Sequence, residues 1–422
     1  MESDVIVIGS GISGLSVANM LNANYKVKIL EKADKIGGLI KCARVDGSLF
    51  HLVGGHVFNS RKQEVLDWFW SHFDRDKEFL KAVRNAKILF NDQLVGYPIE
   101  NFIYQLPEDQ IANIVNDLLA IAIKGKDTLQ SADFETFLKD SFGQTLYNLY
   151  FGPYNTKIWN TDLSKVPLDW LEGKLPMPKI AEIILSNVLK KDEANMVHAT
   201  FYYPVNDGSQ FIINRLAQNM NISLSYQVSS IKQVDGKLSV NGGEYTANAL
   251  VYCGDIRILH SIVAIDDREL TDSLNSVKDL LSNGTSNVLC ETDSNDLSWL
   301  YLPESKFKAH RIIYTGNFSE TNNGAGRKTC VVEFSGKHDK EAMLAELKLL
   351  PGNLTAISFN YEPNSYIIHH KDTKSKISTL KVQLAKYNIH LLGRFSEWEY
   401  YNMDKCIEGA MELTKLLTEK PV

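Results

Sequence analysis

The chain has few cysteines and no pattern among them. Cys42, Cys253, Cys290, Cys330 and Cys406 are scattered, odd in number and never spaced as CxxC. That excludes a disulfide framework or a structural zinc site and points to free thiols in a reducing compartment. No apolar run approaches the ~18 residues of a membrane span. The most apolar stretch, "IVNDLLAIAIKGK" (114–126), is interrupted by Asn116 and Asp117 and reads as a buried helix. The N-terminus, MESDVIVIGSG, lacks a basic segment and runs straight into a strand, so it does not read as a secretion signal, and a cytoplasmic protein is expected. Basic stripes are missing too: the formal net charge is −6, which argues against a nucleic-acid partner but leaves room for a locally basic pocket. Internal repeats and low-complexity linkers are absent. With 422 residues, 44% hydrophobic and 23% charged, the chain is an ordinary globular one of two or three domains.

What is there begins at residue 5. "DVIVIGSGISGLSVANML" opens with an apolar run of buried-strand type, Val5–Ile8, followed by Gly9, Gly11 and Gly14 in G-x-G-x-x-G spacing. A helix follows, with Leu15, Ala18 and Leu21 on one face. The first glycine allows a tight turn, the second lets backbone approach a pyrophosphate, and the third lets helix and strand pack closely. The helix N-terminus then faces the phosphates. A second strand, "KVKILE", ends at Glu31, about 20 residues on, where the partner of a ribose hydroxyl belongs. The plain alternative is three glycines in an ordinary strand-to-helix turn. A carboxylate at Glu31 repels a 2′-phosphate, which disfavours NADP and leaves FAD or NAD. "EKADKIGG" (31–38) adds a second close backbone approach at Gly37-Gly38 and resembles the N-terminal signature of two-domain flavoproteins, the amine oxidases and protoporphyrinogen oxidase among them. FAD is therefore the expected cofactor, held by Gly9, Gly11, Ser13, Gly14, Glu31, Lys32, Gly38 and Leu39. No second fingerprint occurs, so reducing equivalents are expected from an external reductant such as NAD(P)H.

Further along, the period changes three times. Residues 62–190 read as mainly helical: "QEVLDWFWSHF", "EDQIANIVNDLLAIAI", "DFETFLKDSF", "GQTLYNLYF" and "PKIAEIILSNVLK". "GSQFIINRLAQNM" reads as a helix, and the stretch after it as strands with tight turns at Asp235-Gly236 and Gly242-Gly243. "NALVYCGD" looks like a strand returning to the first sheet. Residues 285–370 alternate as an antiparallel sheet, with loops near Asn283–Ser286 and Glu320–Arg327 that read as mobile. "IHLLGRF" reads as a last strand leading into a C-terminal helix. The expected fold is α/β. A Rossmann-like FAD-binding domain in three pieces (1–60, 195–262, 380–422) is joined to a mainly helical domain (61–194) and an antiparallel sheet domain (263–379).

Six motifs in order narrow the reading: "VGGHVFNS" (53–60), "GYPIENFIYQLP" (96–107), "GPYNTKIWNTDLSKVPLDWLEGKLPMP" (152–178), "FYYPVNDGSQFI" (201–212), "WLYLPESKFKAHRIIYTGNFS" (299–319) and "GRFSEWEYYNMD" (393–404). Together they resemble the UDP-galactopyranose mutases, especially the branch with the eukaryotic enzymes, across nearly the whole chain. The resemblance implies a reaction without net redox change, in which N5 of reduced FAD attacks the anomeric carbon of a nucleoside-diphosphate hexose so that its ring can open and reclose between pyranose and furanose. The protein then supplies orientation and charge. It also implies a nucleotide-sugar partner and allows a homo-oligomer.

On those terms Gly54, Gly55 and His56 match the loop beside the flavin ring, with Gly393, Arg394, Asn402 and Met403 near the same ring. Tyr97 and Glu100 match positions at the nucleotide base, although Tyr97 reads equally well as core. Asn155 and Trp159 match substrate-lining positions, with plain packing an alternative for Trp159. Trp299, Tyr301, Arg311 and Asn317 match a segment that closes over the diphosphate, whose oxygens suit the arginine fork; the plainer reading is a surface strand arginine. Tyr366 and Tyr400 match diphosphate-contacting tyrosines, and Trp398 could be filler. The catalytic set implied is His56, Lys174, Tyr301, Arg311, Tyr366 and Tyr400.

Three positions depart from the pattern. Lys174 stands where the family usually has an arginine, Glu100 where relatives carry glutamine, and Asp207 where a glycine is usual. These open the choice of sugar and nucleotide: UDP-galactose is the default, with deoxy-, N-acetyl- or dTDP-sugars as alternatives. An FAD-dependent amine oxidase or protoporphyrinogen-oxidase-like oxidoreductase shares the expected fold, as would a non-catalytic binding protein of the GDI type. The Arg311, Lys174 and tyrosine set argues for an anion against the first. The intact glycines and Glu31 argue against the second.

Overall fold

A computed structural model describes residues 1–125, 131–168, 179–190 and 200–419. The first sheet has five strands in the order Ile389–Leu391, Ala249–Tyr252, Val5–Ile8, Val27–Leu30, Ile222–Ser223. Every pair is parallel, with Val5 opposite both Ala249 and Val27. Such strands are covered on both faces, so the two central ones, Val5–Ile8 and Ala249–Tyr252, carry no charged residue; the buried Lys28 in Val27–Leu30 is satisfied by Asn221 Oδ1 (2.7 Å). Val5 and Val7 face the helix Ile12–Leu21 and the C-terminal helix Met403–Glu419, whose Ile407 and Ala410 are fully buried. Ile6, Leu250 and Tyr252 point the other way, into a core closed by Ile256, Leu380 and Trp398. "NALVYCGD" thus returns beside the first strand as expected. The expected turn at Asp235-Gly236 joins Ile231–Val234 to Lys237–Val240, both residues with positive φ (49° and 78°), as a tight two-residue hairpin needs.

The second large sheet has seven strands in the order Thr355–Ile367, Ser282–Glu291, Thr329–Ser335, Ala309–Ile313, Trp299–Tyr301, Ala86–Phe90, Gln93–Gly96. All pairs are antiparallel except Trp299–Tyr301 with Ala86–Phe90. Helices fill the region between: Gln63–His72, Glu108–Lys124, Phe134–Leu146 and Ile180–Val188. The break between "DFETFLKDSF" and "GQTLYNLYF" falls at Gly143, whose φ of 85° interrupts the helix. The former starts on Asp133, whose carboxylate accepts from the Thr136 amide as an N-cap.

Three expectations change. The mainly helical stretch contains the strands Phe79–Val83, Ala86–Phe90 and Gln93–Gly96, and the last two extend the seven-stranded sheet. Asn283–Ser286 is not a loop but part of the ten-residue strand Ser282–Glu291, with Asn283 bonded to Ile158 O (2.9 Å) and Ser335 Oγ (2.6 Å). The helix Glu108–Lys124 buries only Ile114 and Leu118 and leaves Ile123 86% exposed, because only one stripe meets the core. Among the described residues, no helix is long and apolar enough to cross a membrane.

Candidate active site

A cavity of about 950 Å³ runs from the carboxyl ends of the parallel strands to the face of the seven-stranded sheet. Gly9, Gly11, Ser13 and Gly14 line its first end, with Glu31, Lys32, Gly38 and Leu39 beside them. Gly14 is required by contact: a Cβ there would lie 2.0 Å from Gly9 O. Glu31 is held ready. One carboxylate oxygen accepts from the amide (2.8 Å) and hydroxyl (2.7 Å) of Ser10, and the other from the Ala33 amide (2.9 Å). Two helix N-termini, at Ile12 and Met403, border this end, and a dinucleotide pyrophosphate fits such a cradle.

In the middle, Gly54, Gly55 and His56 line the cavity together with Gly393, Arg394, Asn402 and Met403. Gly54 has a φ of 60°, and a Cβ on it would stand 3.4 Å from Arg311 Nη2 and 3.6 Å from Glu333 Oε2. Burial, aided by the Arg394 charge, lowers the His56 imidazole to about 4, so it is neutral at physiological pH. Its Nε2 and the Nε of Arg394 are buried without a partner among the described residues. Orphaned donors and acceptors are costly, and a polar heterocycle would satisfy both. The Arg394 guanidinium lies on the Tyr400 ring, 3.9 Å from its centroid.

At the far end Trp299, Tyr301, Arg311, Tyr366 and Tyr400 form the wall. Arg311 Nη2 donates to Glu333 Oε1 (2.9 Å) and lies 3.2 Å from Tyr366 OH, which itself donates to Glu333 Oε1 (2.9 Å). Tyr366 and Tyr400 are parallel, with centroids 6.1 Å apart. Arg84 Nη2 is bonded to Tyr301 OH, and its guanidinium sits over the rings of Tyr97, Trp299 and Tyr301. Burial alone would raise Glu333, but Arg311 and His310 outweigh it and hold the carboxyl well below the usual range. Arg311 is therefore a cation balanced by a buried carboxylate, not a surface strand arginine.

Five expected substrate residues are not among those lining this cavity. Tyr97 stands one ring back, stacked on Tyr301 at 4.7 Å. Burial pushes the Glu100 carboxyl up to about 7, and its carbonyl accepts from Asn187 Nδ2 (2.8 Å). Asn155 Nδ2 turns back to Phe151 O, one turn earlier, at 2.7 Å. Trp159 is 6% exposed and tilted on Phe134. Asn317 Nδ2 donates to Leu297 O (2.8 Å) and to Asn295. Lys174 lies outside the described residues. Trp398 is filler, fully buried with its indole N–H on Ile368 O (3.2 Å). Asp207 takes a left-handed φ of 56° and pairs with Arg44, which explains how it replaces a glycine. Sequence reading missed Arg84, Glu333 and His310. A lone acid inside the apolar run "TCVVEFS" is the signal that could have exposed Glu333.

Comparisons with known proteins agree with this layout. Residues 7–73 match the family described as an NAD(P)-binding Rossmann-like domain. A UDP-galactopyranose mutase of Mycoplasma genitalium is 24% identical over 96% of this chain and 92% of its own length. A dTDP-fucopyranose mutase of Escherichia coli is 27% identical over 41% of this chain and 46% of its own. A crystal structure of reduced UDP-galactopyranose mutase superposes with a TM-score of 0.88 at 19% identity, covering 99% of this chain and 94% of that one. The resemblance to the UDP-galactopyranose mutases, read from six motifs, thus extends over nearly the whole chain in sequence and in fold.

Proposed function

We propose that this protein is a flavin-dependent mutase that interconverts the pyranose and furanose forms of a nucleoside-diphosphate sugar, by default UDP-galactose. The observation that carries the reading is the far wall of the cavity. A guanidinium, Arg311, stands among the hydroxyls of Tyr301, Tyr366 and Tyr400 next to a cradle that fits a dinucleotide. A cationic amine substrate gains nothing from that wall; a diphosphate does. The full-length relative is a UDP-galactopyranose mutase and a partial one acts on a dTDP-sugar, so either nucleotide is a candidate.

In this reading residues 1–60, 195–262 and 380–422 carry FAD, and the rest presents the substrate. Ser10, Glu31 and the glycine turn would hold the adenosine and pyrophosphate, and His56 and Arg394 would offer the ring edge the nitrogens that have no partner among the described residues. Reduced FAD would supply a nucleophilic nitrogen to the anomeric carbon. Arg311 and the tyrosines bind the diphosphate, steady it as a leaving group and keep it near for return. Trp299 and Tyr301 cover the sugar and exclude water, which would otherwise hydrolyse it. His56 stays neutral and places no positive charge beside the sugar.

The test is incubation of dithionite-reduced protein with UDP- and dTDP-linked pyranoses and furanoses, followed by chromatography. Interconversion by reduced but not oxidised protein is expected. Equal turnover in both states, or no conversion of any sugar nucleotide, would overturn the proposal.

A further inference from the structure

The strand Ala309–Ile313 carries an irregularity beside the anion wall. Against its neighbour Thr329–Ser335, Ala309 pairs with Phe334 and Arg311 with Glu333, so two steps on one strand match one step on the other. The extra residue is His310. In a regular strand His310 and Arg311 would point to opposite faces. The bulge re-aims them, and both reach the same atom: His310 Nε2 and Arg311 Nη2 each lie 2.9 Å from Glu333 Oε1. The bulge is tied down from the helix Gly152–Trp159, where Lys157 Nζ bonds the carbonyls of Leu302 (2.7 Å), Glu304 (2.8 Å) and Ala309 (3.4 Å).

We propose that His310 is a positioning residue for the anion site, its imidazole N–H fixing the Glu333 carboxylate that orients Arg311 toward the cavity. This rests on reading Arg311 as the ligand of the substrate diphosphate. The imidazole is fully buried, with Nδ1 unpaired, so the neutral tautomer with hydrogen on Nε2 fits both observations. Burial lowers its affinity for a proton, with Arg311 and Lys157 adding to the effect and Glu333 opposing it. Three donors, from His310, Arg311 and Tyr366, crowd onto Oε1, while Oε2 has no partner among the described residues. Without His310 the carboxylate can rotate to share both oxygens with Arg311 as a fork. That closed pair would withdraw guanidinium hydrogens from an arriving anion.

The test measures Kd for UDP and for inorganic pyrophosphate on FAD-loaded, reduced protein. The proteins are wild type, His310→Leu, His310→Gln, Arg311→Ala and the His310→Leu/Arg311→Ala double variant. His310→Leu should weaken both anions about tenfold, the order of one hydrogen bond to a charged group. Gln, whose amide can donate from a similar place, should restore most of this. In the Arg311→Ala background, His310→Leu should change nothing further. Equal weakening in both backgrounds, or no rescue by Gln, would overturn the inference. A ligand-free readout separates it from the functional reading. The unfolding effects of His310→Leu and Arg311→Ala should be non-additive, and become additive once Glu333→Gln is present. If wild type binds neither anion, the sugar-nucleotide reading falls, and this cycle alone decides the role of His310: additivity throughout overturns it.

Discussion

Replacing Arg311 by alanine should reverse the sign of a pH dependence. Glu333 is 1% exposed, and in the intact protein its carboxyl is held below its ordinary value of 4.5 because Arg311 and His310 outweigh burial. A group with a depressed folded pKa adds stability above its unfolded pKa and loses it as pH falls through the folded value. In Arg311→Ala, burial is opposed only by the bonds from His310 and Tyr366, so the folded pKa rises above 4.5. The carboxyl then costs stability as pH climbs from there, by up to about 1.4 kcal/mol per pH unit until the raised value is passed. Breaking a buried pair costs about 3–5 kcal/mol, and the two remaining donors place this case near 3 kcal/mol. With an unfolding entropy of about 2.1 cal/mol/K per residue, applied to the 422 residues, Tm should drop by about 3–4 °C at about pH 7.5. The assay is near-UV circular dichroism on wild type, Arg311→Ala and Arg311→Ala/Glu333→Gln between about pH 5.5 and 7.5. The deficit of the single variant should shrink by roughly half toward the acid end, and the double variant should recover most of it throughout. A deficit that is constant or grows on acidification would refute the electrostatic account of this cluster.

Gly14→Ala should abolish retention of the dinucleotide, because its Cβ would occupy space 2.0 Å from Gly9 O; absorbance of the purified protein near 450 nm, about the flavin band, reads this directly, and yellow protein would contradict it. Trp398→Ala should cost about 3–5 kcal/mol in urea unfolding, since the ring is fully buried and its N–H is bonded to Ile368 O; a change under about 1 kcal/mol would remove Trp398 from the core.

Local signals were legible and distant pairings were not. The Val5–Ile8 strand, the glycine turn and Glu31 lie within 27 residues and have a fixed period and spacing, so the sequence carried them directly. Asp235-Gly236 announced its hairpin for the same reason. The strands at 79–96 were hidden because their apolar residues are completed by partners about 120–210 residues away, at Thr200–Pro204 and Trp299–Tyr301. Glu333 was missed although a lone acid in an apolar run marks it, and His310 because the bulge that carries it is defined only by pairing with the strand Thr329–Ser335. Trp159, Asn155 and Asn317 were matched to substrate positions because the motif around them is continuous; the direction each side chain takes depends on the turn it occupies, which the motif does not specify.

The order of strands in the parallel sheet also sets a timetable. Val5–Ile8 is flanked by a strand from the middle of the chain, Ala249–Tyr252, and that strand by one near the end, Ile389–Leu391. Gly393, Arg394, Asn402 and Met403 then close the cavity. During synthesis the first glycine turn must wait for almost the whole chain before its pocket has four walls. Since chains grow at about 5–20 residues per second, that interval lasts roughly 20–80 seconds. On the proposed reading, capture of the dinucleotide would follow synthesis of residues 393–403, and its retention would report that this segment has docked.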